Sequence, residues 1–213
     1  MTKSIRVLIA DDHAIVRHGL RQILSETDDM LVTGEAENGI QAMQLARAES
    51  WDVMLLDVSM PERNGIDTLK QVKKEYPKLP VLMLSMHPED LYAIRALKAG
   101  AAGYLNKQSA PDLLVHAIRQ VASGKKYVSV ALAEELANAI SDDSDKAPHE
   151  KLSDREYQTL CMIASGKTLT QIAEELKLSV KTVSVYRARL LEKMKLKNNA
   201  ELTHYGLKHG LVE

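Results

Sequence analysis

The chain has 213 residues, 45% of them hydrophobic and 27% charged, with one cysteine, no phenylalanine and a formal net charge of −1. This composition fits an ordinary soluble globular protein with room for two modest domains. The lone Cys161 excludes a disulfide framework, and without a span-length apolar run or a leader the expectation is a cytoplasmic protein with no membrane partner. The charge is uneven. Residues 151–213 hold 11 Lys+Arg against 7 Asp+Glu, which leaves 17 against 22 for residues 1–150, so a polyanion is a candidate partner for the second part.

In chain order, the first 125 residues alternate short β-rich runs with helical patterns. The predicted strands are "IRVLIA" (5–10), "MLVTGEA" (30–36), "WDVMLL" (51–56), "PVLMLS" (80–85) and "AAGYL" (101–105). Between and after them, "AIVRHGLRQILSE", "GIQAMQLARAE", "GIDTLKQVKKEY", "EDLYAIRALKAG" and "PDLLVHAIRQVAS" carry apolar residues at helical spacing. Strict β-α alternation predicts an α/β fold, a doubly wound parallel sheet with helices on both faces. Residues 127–140 read as one more helix, and 141–150, "SDDSDKAPHE", as a linker by composition. Beyond it the period is purely helical, in four short pieces. Ser153 with Glu156, and Thr168 with Gln171, stand at capping-box spacing. The expected organisation is a domain over 1–123, a linker helix and flexible linker over 124–150, and a small all-α four-helix domain over 151–213.

Ligands of an open parallel sheet bind beyond the carboxyl ends of its strands. There the sequence places Asp11 and Asp12 after the first strand, Asp57 after the third, Ser85 at the end of the fourth and Lys107 after the fifth. Any one of these alone reads as a helix cap, a turn residue or a surface lysine; their coincidence at one edge does not. Clustered carboxylates raise one another's pKa unless a cation sits among them, and Mg2+ is the economical candidate. With that charge absorbed, Asp57 can attack a phosphoryl group and become an acyl phosphate, with Ser85 donating to the added oxygens.

In the C-terminal part, a tight turn at "KLS" precedes "VKTVSVYRARLLEKM". Val183, Leu190 and Met194 fall on an inner side, while Lys181, Ser184, Val185 and Ala188 stand at i, i+3, i+4 and i+7 on the opposite face. A major-groove helix needs such a small, mixed face. Arg187 and Arg189, with Lys167 in the preceding turn, would neutralise phosphates. A solvated amphipathic helix fits this pattern equally well.

"VLIADDH", "MLLDVSMPERNG", "LMLS" and "AGAAGYLNK" resemble the receiver domain of bacterial two-component response regulators over residues 5–123. The run from "LSDREYQTL" to "KNNAEL" is similar to the LuxR-type helix-turn-helix, so the chain resembles a NarL/FixJ-type regulator. That resemblance implies a five-stranded flavodoxin-like receiver with Asp57 as phosphoacceptor. Mg2+ would be held by Asp12, Asp57 and the Ser59 backbone carbonyl, with Asp11 acting through water. It further implies Ser85 and Tyr104 as a switch pair, Lys107 on the phosphoryl group, and Lys181 and Thr182 among the DNA contacts. The implied partners are a sensor histidine kinase, double-stranded promoter DNA with an inverted-repeat site, and a second copy of the chain when phosphorylated, paired through Ala200, Leu202 and Tyr205, some of which must instead pack against the other three helices. Two rival readings remain. One is an aspartate-dependent phosphatase, disfavoured because position 59, where that chemistry needs a second acid, is Ser59; the expectation is therefore no enzyme. The other is a regulator whose helical tail binds protein.

Overall fold

The computed structural model describes residues 4–86, 89–129, 132–133 and 147–212. Five parallel strands, β1 (Ile5–Ala10), β2 (Met30–Ala36), β3 (Val53–Asp57), β4 (Val81–Ser85) and β5 (Gly103–Asn106), form one sheet in the order β2-β1-β3-β4-β5. Helices α1 (Ala14–Ser25), α2 (Gly39–Ala48), α3 (Gly65–Glu75), α4 (Glu89–Lys98) and α5 (Pro111–Ala122) alternate with them. The expected doubly wound sheet is present. Its strand order reverses at β1, which opens a crevice between the carboxyl ends of β1 and β3.

β3 shows why the sheet is double-sided. Val53, Met54, Leu55 and Leu56 are all fully buried, and each such side chain contributes about 1.5–3 kcal/mol relative to exposure. One face packs Val7, Ile9, Leu55 and Leu84 against Leu24, Leu114 and Ile118 of α1 and α5. The pleat turns the alternate residues Leu8, Met54, Leu56 and Met83 to the other face, where Met43, Leu69 and Val72 of α2 and α3 are also buried. Asn38 starts α2 by accepting from the N–H groups of Ile40 and Gln41, and Asn64 starts α3 by accepting from Asp67.

Several boundaries differ from expectation. Trp51 and Asp52 precede β3: the indole donates to the Leu45 carbonyl at 3.0 Å, and Asp52 accepts from the Arg6 N–H at 2.9 Å. Their side chains secure the start of the strand rather than lie in it. Ala101 and Ala102 precede β5. The helix expected over 127–140 does not begin at Tyr127, which instead makes a parallel bridge to Gly103; helical geometry is described for 132–133, and most of that segment, with 141–146 of the linker, lies outside the described residues.

The chain divides into two compact units, 1–137 and 138–213. In the second, a 3₁₀ turn at Pro148–Lys151 precedes α6 (Asp154–Ala164), α7 (Leu169–Glu175), α8 (Val180–Met194) and α9 (Asn199–Lys208). Both capping boxes form, Ser153 with Glu156 and Thr168 with Gln171. Glu156 also accepts from the Lys193 ammonium at 2.6 Å. Burial alone would push this carboxyl up, but the bonds from Lys193 and Ser153 outweigh it and hold the group below the usual carboxylate range. The start of α6 is thereby tied to the end of α8. Tyr157, Leu160, Ile172, Val183, Leu190 and Leu202 are buried as the core.

Candidate functional site

β1, β3, β4 and β5 deliver the predicted residues to one place. Asp11 follows β1 and is fully buried; Asp57 ends β3 at 2% exposure; Ser85 ends β4 at 1%. The Lys107 ammonium, just after β5, stands 2.6 Å from Asp11 Oδ2 and 3.0 Å from Asp57 Oδ2. The register explains the meeting. Ser85 pairs with Asn106, and the Lys107 N–H donates to the Ser85 carbonyl at 2.8 Å, so the lysine leaves the sheet beside β4 and leans towards β3. At the turn after β3, Gly65 donates its N–H to the Val58 carbonyl at 2.9 Å. A Cβ on Gly65 would strike the Asp57 carbonyl oxygen, so only glycine lets α3 start this close to the acid.

Burial pushes the Asp57 carboxyl up to about 6; Lys107 offsets part of that, Asp11 adds to it, and a bond from the Ser59 N–H lowers it again. Asp11, Asp12, His13 and Asp57 each offer a ligand atom within 4.8 Å of the others. Three carboxylates face one lysine ammonium, which leaves an excess of two negative charges when all are ionised. Asp11 Oδ2 and Asp57 Oδ2 are buried and share the single Lys107 ammonium. An oxygen-rich, electron-rich pocket of this kind fits a hard divalent cation, so the acidic cluster could hold a metal.

The sequence reading missed two neighbours. His13 places Nδ1 3.0 Å from Asp12 Oδ1 and 3.2 Å from Asp11 Oδ1. Arg17, only 8% exposed, donates from Nη1 to the Asp11 carbonyl at 2.7 Å. Arg17 had a visible signal: it shares a helical face with Leu20 and Leu24, an inward position for a charge. Tyr104, expected as a switch residue, is fully buried at the centre of β5.

In the second unit Lys181, Ser184, Val185 and Ala188 are all exposed along one side of α8, while Val183 and Leu190 are fully buried on the other. Ser179 caps the helix by accepting from the Thr182 N–H at 3.0 Å. Arg189 is exposed, Lys167 pairs with Glu175, and Arg187 donates from Nε to the Asn199 side chain. The α9 expectation needs a correction. Leu202 is fully buried, as is Gly206 one turn on, whose missing Cβ makes room for Ala164 of α6. Leu202 therefore packs inside the unit and is unavailable to a second copy. Ala200, His204 and Leu207, at i, i+4 and i+7, form the exposed stripe, and Tyr205 is half-buried against His149 and His209.

Residues 7–119 match the response regulator receiver domain, and residues 150–206 match the bacterial regulatory proteins of the luxR family. The chain belongs to the response regulators. It is a two-component regulator of the NarL/FixJ type, a phosphorylation-dependent, DNA-binding regulator of transcription. Response regulator UvrY of Escherichia coli O6:H1 is 39% identical over 208 residues, covering 97% of this chain and 95% of that protein. Response regulator GacA of Pseudomonas aeruginosa is 36% identical over 210 residues, covering 98% of each. Among solved structures, Salmonella typhimurium RcsB matches with a TM-score of 0.67 at 28% identity, over 96% of this chain and 97% of that one. RcsB from Salmonella enterica serovar Typhimurium, bound to promoter rprA in the presence of the phosphomimetic BeF3−, matches with a TM-score of 0.63 at 28% identity over 95% and 98%.

Proposed function

We propose that Asp57 of this response regulator takes a phosphoryl group from a sensor histidine kinase, and that the signal reaches promoter DNA through α8. The carrying observation is the buried Asp57 carboxylate, 3.0 Å from an ammonium and beside two further acids at the switch point of the sheet. An Asp57 oxygen attacks phosphorus, the phosphorus–nitrogen bond of the kinase's phosphohistidine breaks, and the freed imidazole takes up a proton. Asp12, Asp57 and the Ser59 carbonyl would hold Mg2+, with Asp11 acting through water; when bound, the ion neutralises charge on the transferring group. Lys107 swings its ammonium from Asp57 to a phosphoryl oxygen, and the Ser85 hydroxyl turns to donate to another. Tyr104 moves into the space Ser85 leaves. Transfer replaces the single carboxylate charge with the two or so charges of an acyl phosphate and brings new acceptor oxygens, enough to bias a two-state repacking of the β4–β5 edge.

In the DNA-bound form Lys181, Thr182 and Ser184 donate to base edges or phosphates, and Val185 and Ala188 pack on thymine methyl groups. Arg189 neutralises phosphate; Lys167 can exchange its surface partner Glu175, worth at most about 1 kcal/mol, for the same purpose. Arg187 serves both Asn199 and the backbone of the duplex. A two-fold dimer through α9, using Ala200 on its exposed stripe and the open edge of the half-buried Tyr205 beside it, requires an inverted-repeat operator. Receiver, linker and helix-turn-helix would span 1–123, 124–150 and 151–213, and the protein would work in the cytoplasm with no turnover of external substrates, since Ser59 offers no second acid. Genome-wide footprinting of the wild type against Asp57→Ala tests both halves: operators protected only in the wild type support the reading, and equal protection in both removes the phosphoryl switch. Mass spectrometry with acetyl phosphate and Mg2+ in excess gives the direct readout; no added mass on Asp57 overturns its role.

A further inference from the structure

We propose that Arg17 is a positioning residue for the acidic site, setting the direction in which Asp12 faces a divalent ion; this rests on the metal-binding reading above. The guanidinium is buried on a face it shares with Leu20 and Leu24, where a leucine would serve packing without the cost of burying a charge. Every nitrogen of the fork is used. Nη1 donates to the Asp11 carbonyl at 2.7 Å, Nη2 to Glu37 Oε1 at 2.8 Å and Nε to Glu35 Oε2 at 3.3 Å.

The Asp11 carbonyl belongs to the peptide that joins Asp11 to Asp12. The N–H of Asp11 is already fixed by the Ala36 carbonyl at 3.0 Å, and the His13 N–H donates to Asp11 Oδ1 at 2.9 Å. Arg17 adds a restraint on the carbonyl side: its bond resists rotation of that peptide plane and so helps hold the bond from Cα to Cβ of Asp12 on one heading. Glu35 and Glu37 absorb the positive charge, so what reaches the site is orientation rather than net charge. A lysine cannot replace it, because a single ammonium does not span a carbonyl and two carboxylates in a planar fork. Residues that orient metal ligands in this way typically contribute about 10–100-fold in affinity.

The test is calorimetric titration of the full chain with Mg2+, paired with electron paramagnetic resonance of Mn2+ binding, on the wild type, Arg17→Lys, Arg17→Met and Glu37→Gln. Both Arg17 variants should bind about 10–100-fold more weakly, and Glu37→Gln should shift in the same direction by less. With acetyl phosphate, the Mg2+ concentration giving half-maximal phosphorylation should rise in proportion while the rate at saturating Mg2+ is kept. A fall in melting temperature with unchanged Mg2+ affinity in Arg17→Lys would reduce Arg17 to a structural residue and overturn the proposal. If Arg17→Met does not fold, Arg17→Lys and Glu37→Gln still decide. Absence of binding by the wild type would overturn the metal reading itself, and this inference with it.

Discussion

Burial sets the Asp57 carboxyl against its own ionisation. Its carboxyl is raised to about 6, burial being the main cause, so the folded chain holds the proton more tightly than the unfolded one. Stability from this group is then highest below the unfolded value of 3.8 and falls as pH rises through about 6. Asp57→Asn removes that cost. Denaturation without metal should show the variant gaining on the wild type between pH 4 and pH 7, by up to about 3 kcal/mol; a gap independent of pH would show that Asp57 is not desolvated in this way. The same scale separates the two kinds of DNA contact proposed for α8. Lys181→Ala should cost about 1–3 kcal/mol and relax base preference, whereas Arg189→Ala should weaken all sequences alike and lower the salt slope by about one. Binding isotherms on operator and random duplex at several salt concentrations give both numbers.

At the scale of elements, the site depends on how closely α3 approaches β3. Gly65→Ala forces a methyl against the Asp57 carbonyl, and overpacking of this kind costs about 1–3 kcal/mol. The displaced strand end should also slow phosphoryl uptake, which timed mass spectra would record; unchanged uptake would mean that the turn relaxes without moving the acid. Much of this level was legible beforehand. The runs "IRVLIA" and "VLMLS" read as buried strands because both faces are covered, and Ser153-Glu156 and Thr168-Gln171 read as caps because the capping bond is local. The start of β3 was misjudged because Trp51 is apolar yet serves through its indole N–H, and apolarity alone does not separate a strand residue from one that packs over its end. Leu202 entered as a dimer contact through the family resemblance alone; α9 has apolar residues around much of its circumference, so its spacing does not say which stripe faces α6.

At the scale of the whole molecule, two units carry separate sites: acids and lysine in 1–137, the exposed face of α8 in 138–213. The metal proposed above would belong to one of them. Scanning calorimetry of the full chain should therefore resolve two transitions, and Mg2+ should raise only the one that involves the aspartates, by mass action on the folded receiver. A single transition moved as a whole by Mg2+ would show that the units melt as one body. This outcome also bears on signalling, because a charge switch confined to one unit acts on the other only where the two are energetically coupled.

By itself the sequence determined the alternation of strands and helices, the acids at strand ends and the face of α8, since each is written in a local period or an immediate neighbour. Only the tertiary structure decided that Lys107 sits between Asp11 and Asp57, that Arg17 grips the Asp11 carbonyl, and that Leu202 turns inward. Those facts depend on distances between segments many residues apart and on which surfaces exclude water, and no repeat along one chain encodes either. The raised pKa of Asp57 belongs to the same class: it exists only once packing has removed the solvent.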